Sequence, residues 1–143
     1  MIKVKRIDHV AIAVADRDAS TDGLAALFGL EVGPREHVAG QGVDVAFLYP
    51  EDATGDGHRP SLEVCAPRGN VGIQKFLAGR GPGLHHVCFE VEDLPGALAT
   101  LKEAGIRLID ETPRQGARGH QVAFLHPAST GGVLFELRAG SPA

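Results

Sequence analysis

The chain has 143 residues, of which 43% are hydrophobic and 22% charged. Its mean hydropathy is −0.01, the composition of a core-forming soluble chain and neither a disordered nor a membrane one. A net charge of −4 argues against a nucleic-acid backbone as partner, which wants a basic face, so none is expected, while a local basic patch could still hold one phosphorylated small molecule.

No apolar run approaches transmembrane length, and the opening MIKVKRIDHV lacks the apolar stretch of a signal peptide. A cytoplasmic location, with no membrane partner, is therefore expected. Cys65 and Cys88 form no CxxC, and in a reducing compartment they read as two small buried thiols rather than a bridge.

Taken in chain order, Val4 to Val14 alternates and is rich in Val and Ile, which predicts a strand. Asp16 or Asp18 is a candidate N-cap for a helix whose apolar face carries Leu24, Leu27 and Phe28, and Gly29 supplies its left-handed stop. Strands are predicted near 30–38, 43–50 and 60–66, with a polar hairpin tip over 51–59 that leaves His58 in solvent. Asn70 to Gly79 reads as a short bridging helix. A strand at 84–91 and a helix at 93–104 follow, the helix carrying Leu94, Leu98 and Leu101 and stopped by Gly105. The last strands are expected near 107–111, 120–126 and 132–138, and Arg114 to His120 reads as a mobile glycine loop.

Sliding the sequence on itself exposes a duplication. At an offset of 77, Ile7-Asp8-His9-Val10 falls on Leu84-His85-His86-Val87, and Val45-Ala46-Phe47-Leu48-Tyr49-Pro50 on Val122-Ala123-Phe124-Leu125-His126-Pro127. The first copy then carries four extra residues, so that Leu62-Glu63-Val64 meets Phe135-Glu136-Leu137 at an offset of 73. The expected fold class is α+β: two tandem βαβββ modules, 1–68 and 83–143, joined by a linker helix over 69–82 in one domain and forming a cupped mixed sheet around a central site.

His9 and His86 occupy equivalent first strands, and Glu63 and Glu136 equivalent last strands. Taken singly, each reads as an ordinary strand residue. Glu63 and Glu136, however, interrupt apolar strands, where an inward carboxylate costs several kcal/mol unless it is paired or coordinated. Repeat equivalence of all four favours one divalent metal ion held by His9, Glu63, His86 and Glu136. That donor set suits Co²⁺, Mn²⁺, Ni²⁺, Fe²⁺ or Zn²⁺ and leaves coordination positions open. By alternation Ala11, Ala13, Val45, Phe47, Cys65, Cys88, Val122 and Phe124 share the ligands' face, while His85 turns away.

The segments Ile7-Asp8-His9-Val10-Ala11-Ile12-Ala13-Val14, Gly83-Leu84-His85-His86-Val87 and Val122 through Leu137 resemble the vicinal oxygen chelate superfamily (the glyoxalase/bleomycin resistance/dioxygenase fold), and within it the methylmalonyl-CoA epimerases. The resemblance implies metal binding by His9, Glu63, His86 and Glu136, with Co²⁺ placed first. It also implies an acyl-CoA substrate, inversion at C2 of methylmalonyl-CoA through an enolate, and a homodimer. A catalytic Glu of some epimerases aligns with Val45, which leaves Glu136, Asp44 and Glu63 as candidate acid/base residues, Asp44 only if a bulge re-aims it. Lys75, Arg80, Arg114 and Arg118 are candidate contacts for the CoA phosphates. A lactoylglutathione lyase-type isomerase and a metal-free binding or resistance protein of the same fold are the alternatives.

Overall fold

The computed structural model describes residues 1–51 and 59–142, so the turn predicted over 51–59 and the solvated His58 lie mostly outside the described residues. It contains β1 (Val4–Ala13), α1 (Arg17–Phe28), β2 (Glu31–Val38), β3 (Val43–Tyr49), β4 (Ser61–Pro67), α2 (Val71–Arg80) and β5 (Gly83–Val91). These are followed by α3 (Leu94–Glu103), β6 (Arg114–Gln115), β7 (His120–Leu125) and β8 (Phe135–Pro142), an α+β fold. The chain divides into two compact units, His9–His85 and a second made of Met1–Asp8 with the chain from His86 onward.

In the unit His9–His85 the strand order is β2-β3-β4-β1, with β1 parallel to β4 and the other neighbours antiparallel. Asp16 caps α1, its carboxylate accepting from the Ala19 N–H at 3.1 Å, and Gly29 closes the helix at φ 64°. Leu24, Ala25 and Leu30 pack on buried Val14, Leu48, Val64 and Ala66. Leu27 and Phe28, expected on the same face, are 72% and 65% exposed. The reason is the helix end: beyond left-handed Gly29 the chain folds back, Leu30 N–H donates to Ala25 O at 3.1 Å, and Leu30 fills the core position. Asn70 caps α2 through the Ile73 N–H.

In the second unit the order is β5-β8-β7-β6, with β5 parallel to β8 and the rest antiparallel. Asp93 caps α3 by accepting from Gly96 N–H at 3.0 Å, and Leu94, Leu98 and Leu101 bury against Val91, Ala123, Leu125 and Leu137. Ile2 packs on this core, which is one reason the first eight residues belong here.

Two predicted strands are corrected. The segment 107–111 makes one isolated bridge, Leu108 to Leu125, because the Asp110 carboxylate takes the Phe124 N–H at 2.9 Å in place of a backbone carbonyl. The edge strand is instead Arg114–Gln115, inside the stretch read as a mobile loop. The last strand begins at Phe135 rather than near 132, since Gly131 and Gly132 both take left-handed φ angles, 74° and 91°.

Candidate active site

Each unit builds the same arrangement from the same register. In the first, Glu63 on β4 lies between Ala11 on parallel β1 and Phe47 on antiparallel β3. In the second, Glu136 on β8 lies between Cys88 on parallel β5 and Phe124 on antiparallel β7. The histidine sits two residues before Ala11 or Cys88, and so on the same strand face. His9 Nε2 lies 3.9 Å from Glu63 Oε2, and His86 Nε2 lies 3.3 Å from Glu136 Oε1. All four residues are buried. Phe47 meets the His9 ring edge-on at 5.5 Å, and Phe124 meets His86 likewise at 5.3 Å, which fixes the plane of each imidazole.

In each unit a buried imidazole nitrogen and a buried carboxylate oxygen approach one another, a donor set that suits a cation. Neutral imidazole and ionised carboxylate are both competent ligands, and a cation offsets the desolvation that either carboxylate suffers. Of the residues expected on this face, Ala11, Ala13, Val45, Phe47 and Cys65 are buried in one unit and Cys88 and Val122 in the other, where Phe124 is half-buried. Cys65 and Cys88 are thiols, as read from the sequence. His85 instead meets Phe76 of α2 edge-on at 5.2 Å, a packing role.

Asp44 is not gathered with His9 and Glu63. Its carboxylate lies 2.9 Å from His37 Nδ1 and 3.6 Å from Arg68 Nη1, in a recess shared with Arg17 and Ala66. No bulge interrupts the β3–β4 register at this point, so alternation keeps it off the ligand face. Among the candidate phosphate contacts, Arg80 lies over the Phe76 ring, Arg114 over Phe124, and Arg118 Nη2 sits 2.6 Å from Asp8 Oδ2.

Sequence reasoning missed a buried ion network in the second unit. Arg138 reaches Asp8 at 2.9 Å and Glu90 at 2.7 Å. Arg6 and Lys5 approach Glu90 from the rim at 3.5 and 3.7 Å. The clue was available: like Glu136, Glu90 and Arg138 interrupt apolar strands at the parity of His86 and Glu136.

Compared with known proteins, residues 8–124 match the model of the glyoxalase/bleomycin resistance protein/dioxygenase superfamily. The mitochondrial methylmalonyl-CoA epimerase of Dictyostelium discoideum is 37% identical over 95% of this chain and 79% of its own length. The chain belongs to that superfamily, among its methylmalonyl-CoA epimerases. The ethylmalonyl-CoA/methylmalonyl-CoA epimerase of Cereibacter sphaeroides is 36% identical, covering 94% of this chain and 97% of that one. A solved methylmalonyl-CoA epimerase in complex with methylmalonyl-CoA and NH4+ aligns at a TM-score of 0.89 and 36% identity, over 97% of this chain and 96% of that one. Within this epimerase family the pairs His9–Glu63 and His86–Glu136 are the part of the chain on which chemistry is most readily built. Among the described residues no helix is long and apolar enough to cross a membrane.

Proposed function

We propose that the chain inverts the configuration at C2 of methylmalonyl-CoA through an enolate. The observation that carries this reading is the repeated pair: a buried histidine and a buried glutamate in identical register in both copies, in a chain 36–37% identical to methylmalonyl-CoA epimerases. His9, Glu63, His86 and Glu136 would together hold one divalent ion, Co²⁺ first, with Mn²⁺, Ni²⁺, Zn²⁺ and Fe²⁺ as alternatives. When bound, such an ion supplies Lewis acidity to the thioester and carboxylate oxygens of the substrate.

The chain's own groups do the rest. Glu136 takes the C2 proton as a carboxylate, the electron pair moves onto the thioester oxygen, and a carboxylic acid returns a proton to the other face. Inversion needs one such group for each face. Val45 has no proton to exchange and Asp44 is engaged by His37 and Arg68, which leaves Glu63 as the partner of Glu136, and either carboxyl would stand off the ion while it carries the proton. Buried apolar residues, Ala11, Ala13 and Phe47 in one unit and Val122 in the other, would keep water from the enolate. The chain is further proposed to work as a homodimer in the cytoplasm.

The test is deuterium wash-in at C2 of methylmalonyl-CoA in D₂O followed by NMR, with metal content measured on the same sample. Exchange of both enantiomers, with about one divalent ion per chain, is expected. A metal-loaded protein that exchanges neither enantiomer overturns the reading.

A further inference from the structure

We infer that Arg118 is a positioning residue, latched to Asp8, that holds the turn 116–119 against Val122, on the strand face that carries Glu136. This rests on the epimerase reading for its kinetic consequence, though not for the latch itself.

Arg118 has φ 58° and ψ 24°, and among the described residues it is the one non-glycine residue with positive φ. A left-handed backbone strains a residue that carries a β-carbon and persists only where its surroundings enforce it. Here the enforcement is visible on both sides of the turn. Gly116 lies so close to Val122 that an added β-carbon would sit 2.8 Å from Val122 Cγ1, and its N–H donates to His120 O at 2.9 Å. Opposite, Arg118 Nη2 reaches Asp8 Oδ2 at 2.6 Å, while Asp8 Oδ1 is held by Arg138 Nε at 2.9 Å. Asp8 is thus shared between the strand that carries Glu136 and the turn. Val122, which the turn presses on, pairs with Arg138 in the β7–β8 register, one same-face step from the Phe124–Glu136 pair.

The first copy shows what the latch replaces. At the repeat offset Gln41 and Gly42 stand where Arg118 and Gly119 stand, and Gly42 and Gly119 take similar angles, φ 65° and 73°. That first turn is held mainly by backbone: Arg68 N–H and Asn70 N–H donate to Gly42 O at 2.7 and 3.1 Å, and Asn70 Nδ2 donates to Gln41 O at 2.8 Å. The second turn has instead a charged side chain, only partly buried, which can be released without unfolding the strands beneath it. Its loss is expected to loosen the Val122 wall and weaken the hold on the acyl-CoA more than the proton-transfer step.

Hydrogen exchange of the Gly116 amide reads the latch with no substrate present. Arg118→Ala is expected to speed it about 10-fold or more, Arg118→Lys to restore much of the protection, and Asp8→Asn to match Arg118→Ala with no further loss in the double variant. In turnover, Arg118→Ala should raise KM about 5-fold with a smaller change in kcat, at unchanged metal content. Unchanged exchange in Arg118→Ala overturns the latch. A raised KM in Arg118→Ala with a lowered one in Asp8→Asn overturns it too, because Arg118 would then be touching substrate directly. Should the wild-type protein exchange no C2 proton, the epimerase reading fails while the amide-exchange result still decides the latch.

Discussion

The two copies keep the same histidine–glutamate register and differ in what stands behind it. In both, a glutamate lies between a small residue on a parallel strand and a phenylalanine on an antiparallel one, with a histidine two residues upstream of the small one. Deeper on the same faces the first copy has Ala13 and Cys65, both buried, where the second has Glu90 and Arg138. The first copy shows that the βαβββ module needs no ions there. A buried ion network is also weak evidence for stability, since desolvation opposes its Coulomb gain. The duplication therefore acts as an internal control: what is shared belongs to the ligand frame, and what differs belongs to one copy's own task.

The largest effect should come from breaking what is shared. His9→Ala and His86→Ala should each remove most of the bound metal and lower epimerisation at least about 100-fold, as an incomplete ligand set in an apolar cavity is poorly completed by water. Metal analysis and the C2 exchange assay check this, and full metal retention in both variants would defeat the proposed ligand set. Next, Glu136→Gln keeps a coordinating oxygen but cannot take a proton. It should retain appreciable metal and lose exchange from one enantiomer by about 100-fold. Asp44→Asn is the matched control and should leave both rates near wild type; loss of one enantiomer's exchange in it would reinstate Asp44 as a base.

A third substitution sharpens what differs. Arg138→Cys alone leaves Glu90 to the longer contacts with Arg6 and Lys5 and Asp8 to Arg118, and should cost less in urea denaturation than the ~3–5 kcal/mol of a fully stranded buried charge. Glu90→Ala combined with Arg138→Cys writes the first copy's residues into the second and should recover most of that loss. Failure to recover would mean the second copy depends on its ions in a way the first does not.

The smallest effect lies at the surface of the first copy. Arg17, and after it Arg35, hold the Asp18 carboxyl below its ordinary value of 3.8. A depressed carboxylate stabilises the fold at pH values above its unfolded value, and that contribution fades as pH falls below about 3.8 toward the folded value. Asp18→Asn should flatten the acid limb of the stability curve slightly, measured by denaturation between pH 5 and 2, and the second copy, with Pro95 at that place, has no counterpart. An acid limb as steep as wild type would remove Asp18 from the account.

Much of this molecule was legible from local rules. Periodicity 2 and 3.6, the candidate caps Asp16 and Asp18, and left-handed Gly29 announced β1, α1 and α3, because capping and alternation are satisfied within a few residues of the chain. The duplication carried the pairing of His9 with Glu63 and of His86 with Glu136, since two copies of one module repeat one register. Where the sequence misled, a partner outside the element had decided. The segment 107–111 reads as a strand, yet the Asp110 carboxylate occupies the donor that a ladder would need. Leu27 and Phe28 read as core, yet Leu30 returns to fill it. Asp8, Glu90 and Arg138 come from three strands far apart in sequence, and their pairing in space offsets the burial of the two carboxylates. The sequence by itself determined the α+β class, the elements β1, α1 and α3, and the repeat equivalence of His9 with His86 and of Glu63 with Glu136, which depend on short-range hydrogen bonding and strand parity. The tertiary structure decided the ion network and the strained turn at Arg118, because desolvation must be offset by whichever groups the fold brings within reach.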